Sequence, residues 1–109
     1  MEAITLADAL VRQRDTGDPW VELLRVPDLS AGLYVIPAGG VDHQQPHTED
    51  EVYVVVAGRS RFTSGSETRD VGPGDLLFVP AREPHRFHDI LDELHVLVVF
   101  GPAEGSRAG

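Results

Sequence analysis

The sequence has no cysteine, no lysine and no asparagine, and its apolar runs are short. Without cysteine there is no disulfide, no thiolate metal site and no thiol nucleophile. Positive charge rests on nine arginines scattered among eighteen acidic residues, for a net charge of −9. A nucleic-acid binder carries a basic stripe, and this chain has none, so phosphate-backbone binding is excluded as an expectation. No stretch approaches the roughly 20 apolar residues of a membrane span, and the N-terminus has no apolar core of a secretion signal. The expectation is a soluble, cytoplasmic protein without nucleic-acid or membrane partners. The segment VGPGD at 71–75 holds two close glycines, but no helix pattern and no lysine follow, so it reads as a turn and not a phosphate loop.

At 109 residues the chain is one domain, long enough to bury a core without staples. TLADALVRQR at 5–14 has a helical pattern, with Thr5 as its cap. Beyond DTGDP the pattern changes to short runs divided by turn residues. Strands are expected at 20–26, 32–37, 51–58, 60–65, 68–72, 75–80, 85–90 and 93–101. This spacing is that of an all-β sandwich or barrel, with its core at about 20–101. The small, polar tail at 102–109 is expected to fray.

Two segments concentrate polar chemistry, GGVDHQQPHTEDEVYVVVAG at 39–58 and GPGDLLFVPAREPH at 72–85. In an extended chain, residues two apart share a face. That parity aligns His43, Gln45 and His47, and it aligns Glu51 with Tyr53 and Val55. His85 opens another strand, with Phe87 on its face. If these strands are neighbours, one amide, two imidazoles and one carboxylate converge near a barrel mouth, a donor set suited to a divalent first-row metal. The same reading turns Asp42, Gln44, Glu49 and Asp50 toward water and His88 away from the site. Trp20 and Tyr34 would cover the barrel or a subunit interface.

These segments resemble the two motifs of the cupin superfamily. The first motif's Glu-to-Gly spacing fits Glu51 and Gly58, and counting back places His47 at its second histidine. Gln45 then stands where the first histidine belongs, with Gly40 a loose match. Gly74, Pro80 and His85 match the second motif, and Arg82 replaces its glycine. The resemblance spans roughly residues 30–100. It implies a double-stranded β-helix, the cupin jelly-roll barrel, carrying the short N-terminal helix. It also implies one divalent transition metal (Fe, Mn, Ni or Zn) held by Gln45, His47, Glu51 and His85. A Gln-x-His pair is similar to that in the zinc site of cupin-type phosphomannose isomerases. Tyr53, Phe87, His43 and His95 are then the candidates for a substrate pocket. The implied function is a metal-binding protein for a small organic ligand, with dioxygenase chemistry if the metal is iron. A metal-assisted isomerase or lyase, or a non-catalytic binder, are the alternatives. Cupins commonly pair, so a homodimer is expected.

Overall fold

The computed structural model describes residues 1–108. Helix α1, Leu6–Thr16, starts where the sequence indicates, with the Asp8 amide donating to Thr5 Oγ1 at 3.0 Å, and stops at Gly17 in the left-handed region. Eight strands follow: β1 (Trp20–Val26), β2 (Leu29–Ile36), β3 (Asp50–Ala57), β4 (Ser60–Ser64), β5 (Glu67–Val71), β6 (Leu76–Val79), β7 (His85–His88) and β8 (Leu94–Gly101). They form one sheet of order β1-β2-β8-β3-β6 and a second of order β5-β4-β7. This is the expected all-β double-stranded β-helix with one short helix. Among the described residues, no helix is long and apolar enough to cross a membrane.

Alternation sets which side chains enter the barrel. In β3 the residues Glu51, Tyr53 and Val55 are buried, while Val52 and Val54 turn to the outer face. In β7 it is His85 and Phe87 that turn inward, and in β8 Leu94, Val96, Val98 and Phe100. These side chains meet Phe62 and Val79 in a single core. Tyr53, Phe62 and Phe87 interlock, with ring centroids 4.6–5.7 Å apart. Each such aromatic contributes about 2–3 kcal/mol through burial alone. On the outer face of β1 and β2, Ala9 of α1 packs with Leu33 and Val35.

Gly58 ends β3 at φ +86°, and a Cβ there would lie 2.4 Å from the Glu93 carbonyl oxygen. The motif glycine is therefore demanded twice, by backbone conformation and by the close pass of the chain before β8.

Residues 37–49 are neither helix nor strand. This long connection runs from β2 to β3 but is tied across the barrel. The Gly39 amide donates to the Ile90 carbonyl at 2.9 Å, and the Arg82 amide donates to the His47 carbonyl at 2.7 Å. The tail differs from expectation as well. Ala103 is buried, and the Glu49 carboxylate accepts the Gly105 and Arg107 amides at 2.7 and 3.0 Å, so residues 103–107 form an anchored turn. Frayed ends need unpaired backbone, and here a buried carboxylate pairs it.

Candidate metal centre

Three of the four sequence candidates for metal ligation come together. Ligand atoms of His47, Glu51 and His85 all lie within 4.8 Å of one another. Glu51 sits at an inward position of β3, opposite Phe100 of β8 and Val79 of β6. His85 begins β7, and His47 comes from the long connection, held by Arg82 just upstream of β7. Glu51 Oε1 is 2.8 Å from His85 Nε2 and 3.4 Å from His47 Nδ1. Two ligands on one first-row metal at octahedral or tetrahedral angles stand about 2.8–3.4 Å apart, so these separations suit a shared cation.

The hydrogen bonding makes the same demand. His85 Nδ1 lies 2.8 Å from the Glu83 carbonyl oxygen, which can only accept, so Nδ1 carries the proton. In the neutral ring, Nε2 then presents a lone pair to Glu51 Oε1. That contact is favourable only with a proton or a metal ion between the two. Burial works against the charged ring, but Glu51 and the Glu83 carbonyl outweigh it and raise the His85 pKa above its ordinary value. Nearby, His47 Nδ1 and Glu51 Oε2 are buried without a hydrogen-bond partner. Unpaired buried polar atoms of this kind cost about 1–3 kcal/mol each unless a ligand satisfies them. The residues present therefore fit a divalent metal, with three protein donors and room for further ligands.

Gln45 is exposed and stands outside this group. The amide at the site belongs to Gln44, whose Oε1 accepts from the Tyr53 hydroxyl at 2.9 Å. Strand parity selects the wrong glutamine because residues 37–49 are not extended strand and Pro46 redirects the chain. The Tyr53 hydroxyl is also 2.9 Å from His85 Nε2. Burial, followed by the charge of Glu51, holds this phenol well above its ordinary pKa, so it stays protonated. Tyr53 therefore stands at the cluster, whereas Phe87 lies behind it in the core.

His95 is not in the pocket. It pairs with Val35 across the strands, on the sheet face opposite Leu94 and Val96, and its Nε2 meets Glu93 Oε1 at 2.6 Å. His88 Nε2 binds Thr63 Oγ1 at 2.7 Å, away from the cluster.

Asp42 and Glu49 are corrections of another kind, because both were expected to face water and both are buried. Asp42 Oδ1 accepts from the Tyr34 hydroxyl at 2.7 Å and from the Gln44 amide at 3.0 Å, while Oδ2 accepts the Phe87 amide at 2.9 Å. Asp42 thus ties the connection to β2 and β7 together. An acidic residue in a polar run carries no sequence signal that separates such a buried tie from a solvated charge.

Beside His47 opens a cavity of about 320 Å³. Trp20, Tyr34, Ile36, Val98 and Phe100 form its apolar wall, and His43, Gln44, Asp18 and Glu104 are its polar groups. His43 is thus an exposed residue of the cavity rim. The Trp20 indole covers Gly32, where a Cβ would lie 2.2 Å from the ring, and meets Phe100 edge-on at 6.1 Å. None of the nine arginines lines the cavity. Glu104, from the anchored C-terminal turn, was not among the sequence candidates; its Oε2 is 3.3 Å from His47 Nε2.

Comparison with known proteins agrees with this fold. The family described as Cupin domain matches residues 32–100. The uncharacterized protein SCO3923 of Streptomyces coelicolor is 46% identical over 105 residues, which is 95% of this chain and 99% of that one. The structure of TT1209 from Thermus thermophilus superposes with a TM-score of 0.75 at 21% identity, over 94% of this chain and 99% of that one. The dimethylsulfoniopropionate lyase DddQ of Ruegeria pomeroyi is 36% identical over 58 residues, 52% of this chain and 29% of that protein. Its crystal structure superposes with a TM-score of 0.68 at 26% identity, over 80% of this chain and 49% of the other. The chain thus spans about half of the lyase structure.

Proposed function

The chain belongs to the cupin domain family, and on that premise we propose that it binds one divalent transition metal ion through His47, Glu51 and His85 and acts on a small organic molecule in the adjoining cavity. The proposal rests on two unpaired buried polar atoms, His47 Nδ1 and Glu51 Oε2, converging beside His85. The bound ion would supply Lewis acidity toward a carbonyl or carboxylate oxygen. Tyr53, a neutral phenol within hydrogen-bond distance of His85 and Gln44, would hold a proton at the edge of the reacting centre. Trp20, Tyr34 and Phe100 would exclude water from the ligand's apolar body.

A cavity with acidic groups and no arginine favours an uncharged or cationic body over a phosphorylated one. That preference, with the likeness to a lyase over part of the chain, supports metal-assisted elimination as the reaction class. Oxygen chemistry on iron is the second reaction such a donor set allows. Gln45, being exposed, is not part of the proposed ligand set. We also propose a cytoplasmic homodimer, joined through the outer face of β6 and β3, where Leu76 and Phe78 are exposed beside Val52 and Val54.

Metal content of the purified protein and a chelator-competition titration with Zn²⁺ or Mn²⁺ test the site. One ion per chain in wild type and a loss of at least tenfold in affinity in His47→Ala and Glu51→Gln are expected; no binding by wild type under any loading would overturn the proposal. Product formation from dimethylsulfoniopropionate and related β-substituted carboxylates, with and without oxygen, separates the reaction classes. Turnover that needs oxygen would overturn elimination.

A further inference from the structure

Both carboxylates that line the cavity beside His47, Asp18 and Glu104, are held in place by the backbone around them. The Asp18 carbonyl accepts from Gln13 Nε2 of α1 at 3.0 Å, and Asp18 Oδ1 accepts the Trp20 amide at 2.9 Å, so this carboxylate is fixed beside the first residue of β1. Trp20 lies opposite Tyr34 of β2, with its indole resting on Gly32. Glu104 is fixed at both ends, since its amide donates to Ser30 Oγ at 2.8 Å and its carbonyl accepts from Arg25 at 2.9 Å. Among the described residues, the arginine ion pairs go to Glu22 and Asp70, so neither cavity carboxylate is paired with an arginine.

Two carboxylates in an apolar-walled cleft, on a chain of net charge −9, draw a cation and repel an anion. The rest of the lining decides which kind of cation. Pro19, Ile36, Pro37 and Val98 offer no side-chain acceptors to replace the water shell of a primary ammonium, whose desolvation is costly. A methylated onium group spreads its charge over methyl carbons, so it sits against an apolar wall and is attracted to the face of an aromatic ring. Tryptophan is the strongest ring for that contact. Trp20 is half-buried, whereas Tyr34 and Phe100 are buried, so Trp20 has the most surface to offer. We propose that the cavity is a subsite for a small molecule bearing a methylated onium cation, with Trp20 as the aromatic contact and Asp18 and Glu104 as the counter-charges. This inference rests on the function proposed above and names the substrate class of that site. A molecule held by its cationic head presents its other end to His47, which lines the same cavity.

Trp20 is the single tryptophan of the chain, so its fluorescence reports on the cavity directly. The test titrates wild type at about pH 8, where carboxylates are charged and an ordinary imidazole is neutral. The probes are choline and its uncharged isostere, the alcohol in which a tert-butyl group replaces trimethylammonium, each with and without Zn²⁺. Choline is expected to bind at least about tenfold more tightly than the isostere. By calorimetry, Trp20→Leu, Asp18→Asn and Glu104→Gln should each weaken choline binding about 5- to 30-fold with circular dichroism unchanged. The two acid-to-amide changes should leave the isostere within about twofold, because they remove charge and keep shape. No binding of choline by wild type, or equal affinity for choline and the isostere, overturns the inference. A choline preference in protein that takes up no Zn²⁺ keeps the cation subsite and sinks the metal reading alone. Zn²⁺ uptake without a choline preference sinks the cation subsite alone.

Discussion

Two side chains show how much a single position decides. Asp42 satisfies the Tyr34 hydroxyl, both nitrogens of Gln44 and the buried Phe87 amide. Its removal leaves buried donors unpaired in two strands, and each such donor costs about 1–3 kcal/mol. Asp42→Ala should therefore lower unfolding stability by about 3 kcal/mol in urea melts and speed hydrogen exchange at the Phe87 amide. Arg82 holds φ +68°, where the related motif has glycine. A side chain in this region costs about 1 kcal/mol, so Arg82→Gly should raise the unfolding free energy from urea melts by about that increment. Because the Arg82 amide, not its side chain, holds the His47 carbonyl, metal affinity should stay unchanged in the same variant.

The secondary elements were largely legible, because period-two patterns divided by Gly and Pro leave little freedom in placing strands. Expected and observed strands differ by a few residues at their ends. The connection 37–49 was the failure, since alternation was applied where the chain is not extended, and Gln45 was chosen over Gln44 for that reason. The C-terminal turn was missed because its order comes from Glu49, more than fifty residues away. Its stability should depend on acid. Burial alone would raise the Glu49 carboxyl pKa, but hydrogen bonds from Thr48, Gly105 and Arg107 overcome it and hold the pKa below the ordinary value. A group depressed on folding contributes its stability above the unfolded pKa, about 4.3, and loses it as pH falls through the lower folded value. The Gly105 and Arg107 amides should thus be protected from hydrogen exchange near about pH 6 and lose protection, relative to the β8 amides, below about pH 4. Equal protection of the turn at both pH values would contradict this.

At the scale of the molecule, the two ends of the five-stranded sheet are treated unequally. Helix α1 covers the β1–β2 end, whereas Leu76 and Phe78, 66% and 60% exposed, leave the β6 end bare. Strand β6 is also the sheet's edge, with backbone groups free to pair. The proposed dimer covers this face. Light scattering should give twice the chain mass for wild type and the monomer mass for Phe78→Glu, with circular dichroism unchanged. A monomeric wild type at tens of micromolar would contradict the dimer.

Composition, strand spacing and two motifs were enough to identify an all-β barrel and to name His47, Glu51 and His85, whose ligand atoms the fold brings within 4.8 Å of one another. These depend on local alternation and on fixed separations along strands, which a linear sequence records directly. Only the folded chain decided that Gln44 and not Gln45 meets Tyr53, that Asp42 and Glu49 are buried anchors, and that Glu104 returns to His47. The physical reason is common to all of them. Each is held by hydrogen bonds between segments distant in sequence or along a connection without periodicity, and no repeat or spacing encodes such bonds.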